Sequence, residues 1–113
     1  NNGQHIRDFT YIEDVTNYVI KIIEKPSVKK IPYQIFNISS NKPQSLKKYL
    51  TIIENQIGKK SKIEKKGLQK GDIYKTHGDV SLISKKTKYK IFFNINIDIK
   101  KFILWYREYF KYD

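Results

Sequence analysis

The run Tyr33-Gln34-Ile35-Phe36-Asn37-Ile38 constrains the fold more than any other stretch of this 113-residue chain. Its β-branched and aromatic side chains are nearly continuous, the pattern of a strand covered on both faces inside a parallel sheet. Such a strand needs neighbours on each edge, and the chain offers few. The pattern therefore predicts that residues 33–38 complete a sheet built mostly by residues outside this sequence.

The flanking segments supply the helices. Phe9-Thr10-Tyr11-Ile12 alternates like a short half-buried strand. Glu13 and Asp14, acids suited to the positive end of a helix dipole, then open a helix over residues 13–24. Its stripe is Val15, Tyr18, Val19, Ile22 and Ile23, and Lys25-Pro26-Ser27 ends it. Beyond 33–38, Ser39-Ser40-Asn41-Lys42-Pro43 forms a turn and Ser45 caps a second helix. That helix presents Leu46, Tyr49, Leu50, Ile53 and Ile57 and stops at Gly58. A lysine-rich strand over 61–66 leads into a polar loop, Gly67-Leu68-Gln69-Lys70-Gly71-Asp72-Ile73. Asp79 caps a short helix over 80–86. The last helix starts near Asn94 or Asn96 and runs to Phe110, with the stripe Ile95, Ile99, Phe102, Ile103, Tyr106 and Phe110. Trp105, off that stripe, is expected to pack on a neighbouring element. Strand, helix, strand, helix, strand, then helices is an α/β order.

Arg7 stands just ahead of the first predicted strand. There its planar fork can reach a cleft and grip phosphate through two parallel hydrogen bonds. A surface ion pair with Asp8 or Glu13 is the commoner fate of such a side chain. It is one of only two arginines among 23 basic residues. The net charge of +12 points first to nucleic acid or an anionic membrane. Yet lysine is spread along the whole chain, beside nineteen isoleucines and no alanine. That bias reads as compositional drift, so a nucleic-acid partner is not expected.

Several chemistries lack their residues. Without cysteine there are no disulfides, thiolate metal sites or thiol nucleophiles. His5 and His77 have no ligand-spaced partner, so no metal site is expected. There is no Gly-x-Ser-x-Gly elbow, no dinucleotide fingerprint and no phosphate loop. None of the nine tyrosines is followed four residues later by lysine, the acid–base pair of short-chain dehydrogenases. Catalysis by this chain alone is not expected. No apolar run approaches the ~20 residues of a membrane span, and no secretory pattern opens the chain, which suggests a cytoplasmic protein. The start at Asn1 suggests residues missing upstream.

Four stretches together resemble the NAD-dependent nucleotide-sugar epimerases and dehydratases. Arg7-Asp8-Phe9-Thr10-Tyr11-Ile12-Glu13-Asp14-Val15 is similar to that family's Arg-Asp-Phe-Thr-Tyr-Ile-Asp-Asp. Residues 33–43 are similar to its Tyr-x-Val-Tyr-Asn-Ile-Gly-x-Asn-x-Pro. Gln69-Lys70-Gly71-Asp72-Ile73, Thr76 and Asp79-Val80-Ser81 resemble Gln-Pro-Gly-Asp-Val, Thr and Ala-Asp-Val-Ser. Trp105-Tyr106-Arg107-Glu108-Tyr109-Phe110 resembles the usual ending. The spacings hold over essentially the whole chain, closest to UDP-glucuronate 4-epimerases.

The resemblance implies the C-terminal substrate-binding portion, residues 1–113, of an extended short-chain dehydrogenase/reductase, a Rossmann-type α/β enzyme. Residues 13–38 would complete the sheet of a missing N-terminal domain, which would hold NAD and every catalytic residue. The full-length parent would be an NAD-dependent UDP-sugar epimerase of polysaccharide biosynthesis; no NAD is expected on this portion alone. By residue, Arg7 would grip the substrate diphosphate and Phe9 would line the nucleotide pocket. Gln69 would stand near the diphosphate and ribose, Asp72 would accept from ribose hydroxyls, and Thr76 would hold a further pocket position. Asp14 and Asp79 match too, but read as helix-end acids. A 4,6-dehydratase or decarboxylase of the same family, and a basic nucleic-acid module, are the alternatives. Apolar surface left by the first helix and residues 33–38 would invite self-association. Four departures stand out: Lys70 for proline, His77 for an aromatic residue, Ser39-Ser40 for glycine after the strand, and Gly78 for alanine.

Overall fold

The structure, a computed structural model, describes residues 3–112. They form two compact units, each drawing on separated stretches of chain. The first gathers the residues up to Arg7, Gln44–Lys75, and those from Phe93 onward. The second comprises Asp8–Pro43 and Thr76–Phe92.

In chain order the elements are β1 (Ile6–Arg7), α1 (Ile12–Ile23), β2 (Gln44–Ser45), α2 (Leu46–Ile57), α3 (Ser81–Thr87) and α4 (Ile95–Phe110). In the first unit β1 pairs antiparallel with β2, Ile6 opposite Ser45 and Arg7 opposite Gln44. Ile6 also bridges Lys75 in parallel, its N–H donating to the Tyr74 carbonyl at 3.0 Å. α2 packs against α4, whose Ile95, Ile99 and Ile103 recur every four residues and are buried. Both helices begin where a side chain takes up orphan N–H groups. Ser45 Oγ accepts from Lys48 N–H at 3.2 Å, and Asn94 Oδ1 accepts from Asn96 and Ile97 N–H. Gly58 ends α2 at φ 75°, the left-handed conformation that a side chain resists.

In the second unit α1 packs on α3, with Tyr18 and Ile83 fully buried. The Tyr18 hydroxyl is paired with Ser84 Oγ at 2.9 Å, which satisfies it inside the core. Burial stops there. Val15 and Ile22 are half-buried, while Val19 and Ile23 of the predicted stripe are exposed, with Ile12 and Ile20 beside them.

Two strand expectations fail, over residues 9–12 and 61–66. Residues 9–12 form no strand: Tyr11 is extended, at φ −77° and ψ 144°, and α1 starts at Ile12. The only paired residues there lie two positions earlier, in β1. Residues 61–66 are wholly exposed and unpaired in any ladder. Residues 33–38, expected to pair outside this chain, form no ladder among the described residues, and only one of their faces is covered. Tyr33 is 67% and Ile35 69% exposed, whereas Gln34, Phe36 and Ile38 are half-buried. This period-two alternation gives the run one covered and one bare face. A strand requires backbone partners, and among the described residues none pairs with it. Trp105 is also a correction: it is half exposed and stacks on Tyr109 of its own helix at 5.5 Å.

Candidate functional site

β1 positions the Arg7 side chain, and the loop before Lys75 brings the partner. Ile6, held to Tyr74 through the backbone, draws residues 72–75 alongside Arg7. Arg7 Nη2 donates to Asp72 Oδ1 at 2.9 Å, across 65 positions of sequence. Arg7 Nη1 donates to the carbonyls of Ile6 at 3.0 Å and Tyr74 at 3.2 Å. One end of the fork is thus tied to backbone while the other meets a carboxylate. Both side chains keep 28% of their surface exposed, so the pair is open to a solute. Asp72 Oδ2 lies 3.2 Å from Nδ1 of His5, a side chain only 3% exposed. The His5 ring meets Tyr74 edge-on, 5.9 Å between centroids.

Of the residues singled out from the sequence, Arg7 and Asp72 are in direct contact. Gln69 belongs to the same loop: its carbonyl accepts from the Asp72 N–H at 3.1 Å, and its side chain is exposed. Phe9 and Thr76 belong to the second unit. There Phe9 is half-buried, and Thr76 Oγ1 accepts from the Asp8 N–H at 3.1 Å. Asp14 lies in the first turn of α1 and accepts from the Tyr89 hydroxyl at 3.3 Å. Asp79 Oδ1 accepts from Ser81 N–H at 2.9 Å at the head of α3.

Two groups escaped the sequence reading. His5 was passed over as a lone histidine, yet it stands two residues before Arg7 on an extended backbone, and period two puts both on one side. Asp8 is the other. Its carboxylate accepts from Ser40 Oγ at 2.5 Å and Gly78 N–H at 3.0 Å, while Ser39 Oγ donates to the Gly78 carbonyl at 3.0 Å. Asp8 thereby ties three loop segments of the second unit together.

Burial pushes the Asp8 carboxyl up, but bonds from Ser40, Gly78, Ser39 and Lys42 outweigh it and hold the group below its ordinary value. A carboxyl lowered by folding stabilises the fold above its unfolded value, and that contribution is lost as pH falls through the folded one. Glu54, whose side chain keeps only 12% of its surface exposed, is held down to about 2 by the Ser61 hydroxyl and N–H and by Lys60. Melting temperature should therefore hold level down to about pH 4 and decline below it. Asp8→Asn should make that decline shallower, and an identical acid limb in the variant would remove Asp8 from the account.

The described residues do not fit a dinucleotide cradle. Their one sheet is a pair of two-residue antiparallel strands, and no glycine of positive φ (Gly3, Gly58 or Gly71) opens a helix. Among them, no three His, Asp or Glu side chains gather as a metal site, and no helix is long and apolar enough to cross a membrane.

No family model matches the chain. It is 30% identical over 98% of its length to protein CapI of Staphylococcus aureus, covering 37% of that protein. It is 32% identical over 95% of its length to the UDP-glucuronate 4-epimerase of Thermodesulfobacterium geofontis, covering 32%. The chain spans about a third of the length of these curated relatives. The solved UDP-glucose 4-epimerase of Thermotoga maritima with UDP-glucose aligns with 97% of the chain and 34% of its own, at TM-score 0.83 and 19% identity, which shows a common fold. By sequence over nearly its whole length and by a shared fold, the chain is thus similar to the C-terminal part of NAD-dependent nucleotide-sugar epimerases, UDP-glucuronate 4-epimerases among them.

Proposed function

We propose that this chain is the sugar-nucleotide-binding portion of an NAD-dependent UDP-sugar 4-epimerase of the UDP-glucuronate kind, with the catalytic residues supplied from outside these 113 positions. The observation that carries the reading is the meeting of Arg7 and Asp72 at 2.9 Å, a cationic fork and an acceptor-only carboxylate on one side of β1. A UDP-sugar offers both complements: phosphate oxygens for the guanidinium and ribose hydroxyls for the carboxylate. Gln69, on the same loop, adds an amide able to donate and accept. The hard step of epimerisation, oxidation and re-reduction of the sugar, belongs to the cofactor, and the role left to this portion is to hold and orient the substrate. The bare faces of α1 and of residues 33–38 are then where a dinucleotide-binding domain seats, with 33–38 completing its sheet.

Calorimetric titration tests the reading. UDP should bind the chain, and uridine, which lacks the diphosphate, should bind at least about tenfold more weakly for the loss of one charge-assisted contact. Equal affinity for the two, or no binding of UDP, would overturn it.

A further inference from the structure

Residues 59–75 hold a third of the chain's lysines, seven of 21, in less than a sixth of its length. This corrects the expectation of an even spread, because compositional drift alone would not gather a third of the lysines here. Residues 59–71 are all exposed, and no helix or strand forms between Gly58 and the Lys75 bridge. Only part of this charge is answered. Glu54 takes Lys60 at 3.0 Å, Glu64 takes Lys66 at 3.3 Å, and Asp72 is taken by Arg7 and His5. Among the described residues, no carboxylate lies within ion-pair reach of Lys59, Lys62, Lys65, Lys70 or Lys75.

The segment ends at the site. Lys70 and Lys75 flank Asp72 by two and three positions, and Asp72 touches Arg7. Ammonium groups on flexible stems attract anions without fixing their geometry, whereas the anchored guanidinium supplies geometry. We propose that residues 59–75 are an electrostatic collector that draws polyanionic sugar nucleotides to Arg7, and draws those bearing a sugar carboxylate faster than those bearing the diphosphate alone. This rests on the reading of the Arg7–Asp72 pair as a sugar-nucleotide site. At low salt the Debye length grows to about 30 Å at 0.01 M, like charges within it add their fields, and such clusters raise association rates by about 10- to 1,000-fold.

Stopped-flow association of UDP-glucuronate and UDP-glucose with the 113-residue chain, over a range of salt, is the test. The rate constants should fall with salt for both. The slope should be steeper for UDP-glucuronate in about the three-to-two ratio of ligand charge. Replacing Lys59, Lys62, Lys65, Lys70 and Lys75 with glutamine should slow association about tenfold at low salt and leave dissociation unchanged. Replacing the exposed Lys29, Lys30, Lys47, Lys85 and Lys88 removes the same net charge and should change association less than about twofold. Equal slowing in both variants would assign the effect to the whole chain's charge and overturn the collector. Faster dissociation with unchanged association would overturn it too, in favour of direct contact. No binding of either nucleotide by the unaltered chain would instead sink the site reading, and the collector with it.

Discussion

Gly78→Ala should destabilise the second unit by about 2 kcal/mol, lowering the melting temperature by roughly 10 °C. The backbone at Gly78 does not ask for glycine, because, unlike Gly3, Gly58 and Gly71, it does not have a positive φ. On conformational grounds alone, alanine would help slightly by restricting the unfolded chain. Space forbids it. A Cβ at position 78 would lie 2.4 Å from Ser39 Oγ and 2.7 Å from Ser39 Cβ, and the Cβ cannot swing away as a hydroxyl could. Any shift would also strain the Ser39 hydroxyl bond to the Gly78 carbonyl and the Gly78 N–H bond to Asp8.

The same geometry joins two departures from the family pattern. In the family pattern that the sequence resembles, glycine and then alanine stand where this chain has Ser39 and Gly78, so each arrangement leaves a side chain on one side of the contact only. Ser39→Gly alone should cost about 1 kcal/mol, for the lost hydrogen bonds to the Gly78 carbonyl and from Asn41 N–H. Added to Gly78→Ala, it should rescue the fold, leaving the double variant at least about 1 kcal/mol more stable than the sum of the single effects. Additive losses in a double-mutant cycle would show that the two positions do not compensate.

Arg7→Lys should weaken UDP binding by about 10- to 100-fold while leaving the fold intact. The guanidinium does three things at once. Its Nη1 holds the carbonyls of Ile6 and Tyr74, its Nη2 holds Asp72, and its plane is thereby fixed before any ligand arrives. An ammonium keeps the charge, but it cannot bridge two carbonyls and a carboxylate while presenting a second N–H to phosphate. Binding equal to that of the unaltered chain, measured by the same titration, would show that charge alone suffices and would retire the clamp.

Helix ends were legible in the sequence because caps are local. Ser45, Gly58 and Asn94 each act within their own turn of chain, and each lies where the residue pattern put it. The strands were not, because a ladder depends on a partner that the sequence of the strand does not contain. Residues 33–38 keep the period of a strand, but one face is bare and no described residue pairs with them. Trp105 misled for a similar reason: large aromatic side chains suggest a core, and here they stack on one another along α4. At the candidate site, the position of Arg7 and the acceptor chemistry of Asp72 could be read separately. Their contact depends on Ile6 bonding to Tyr74, a long-range pairing that no local pattern announces. His5 was readable in principle from its spacing to Arg7. The knot at Asp8 was not, since each of Ser39, Ser40 and Gly78 looked unremarkable until they met.

The most direct test of the central claim is side-chain NMR during a UDP titration, following the Arg7 guanidinium nitrogens and the Asp72 carboxyl carbon. If a single nucleotide engages the pair, both sets of signals move together and saturate at the same UDP concentration as the ligand's own phosphorus resonances. Saturation of the phosphorus signals while Arg7 and Asp72 stay fixed would place UDP elsewhere on the chain and contradict the account.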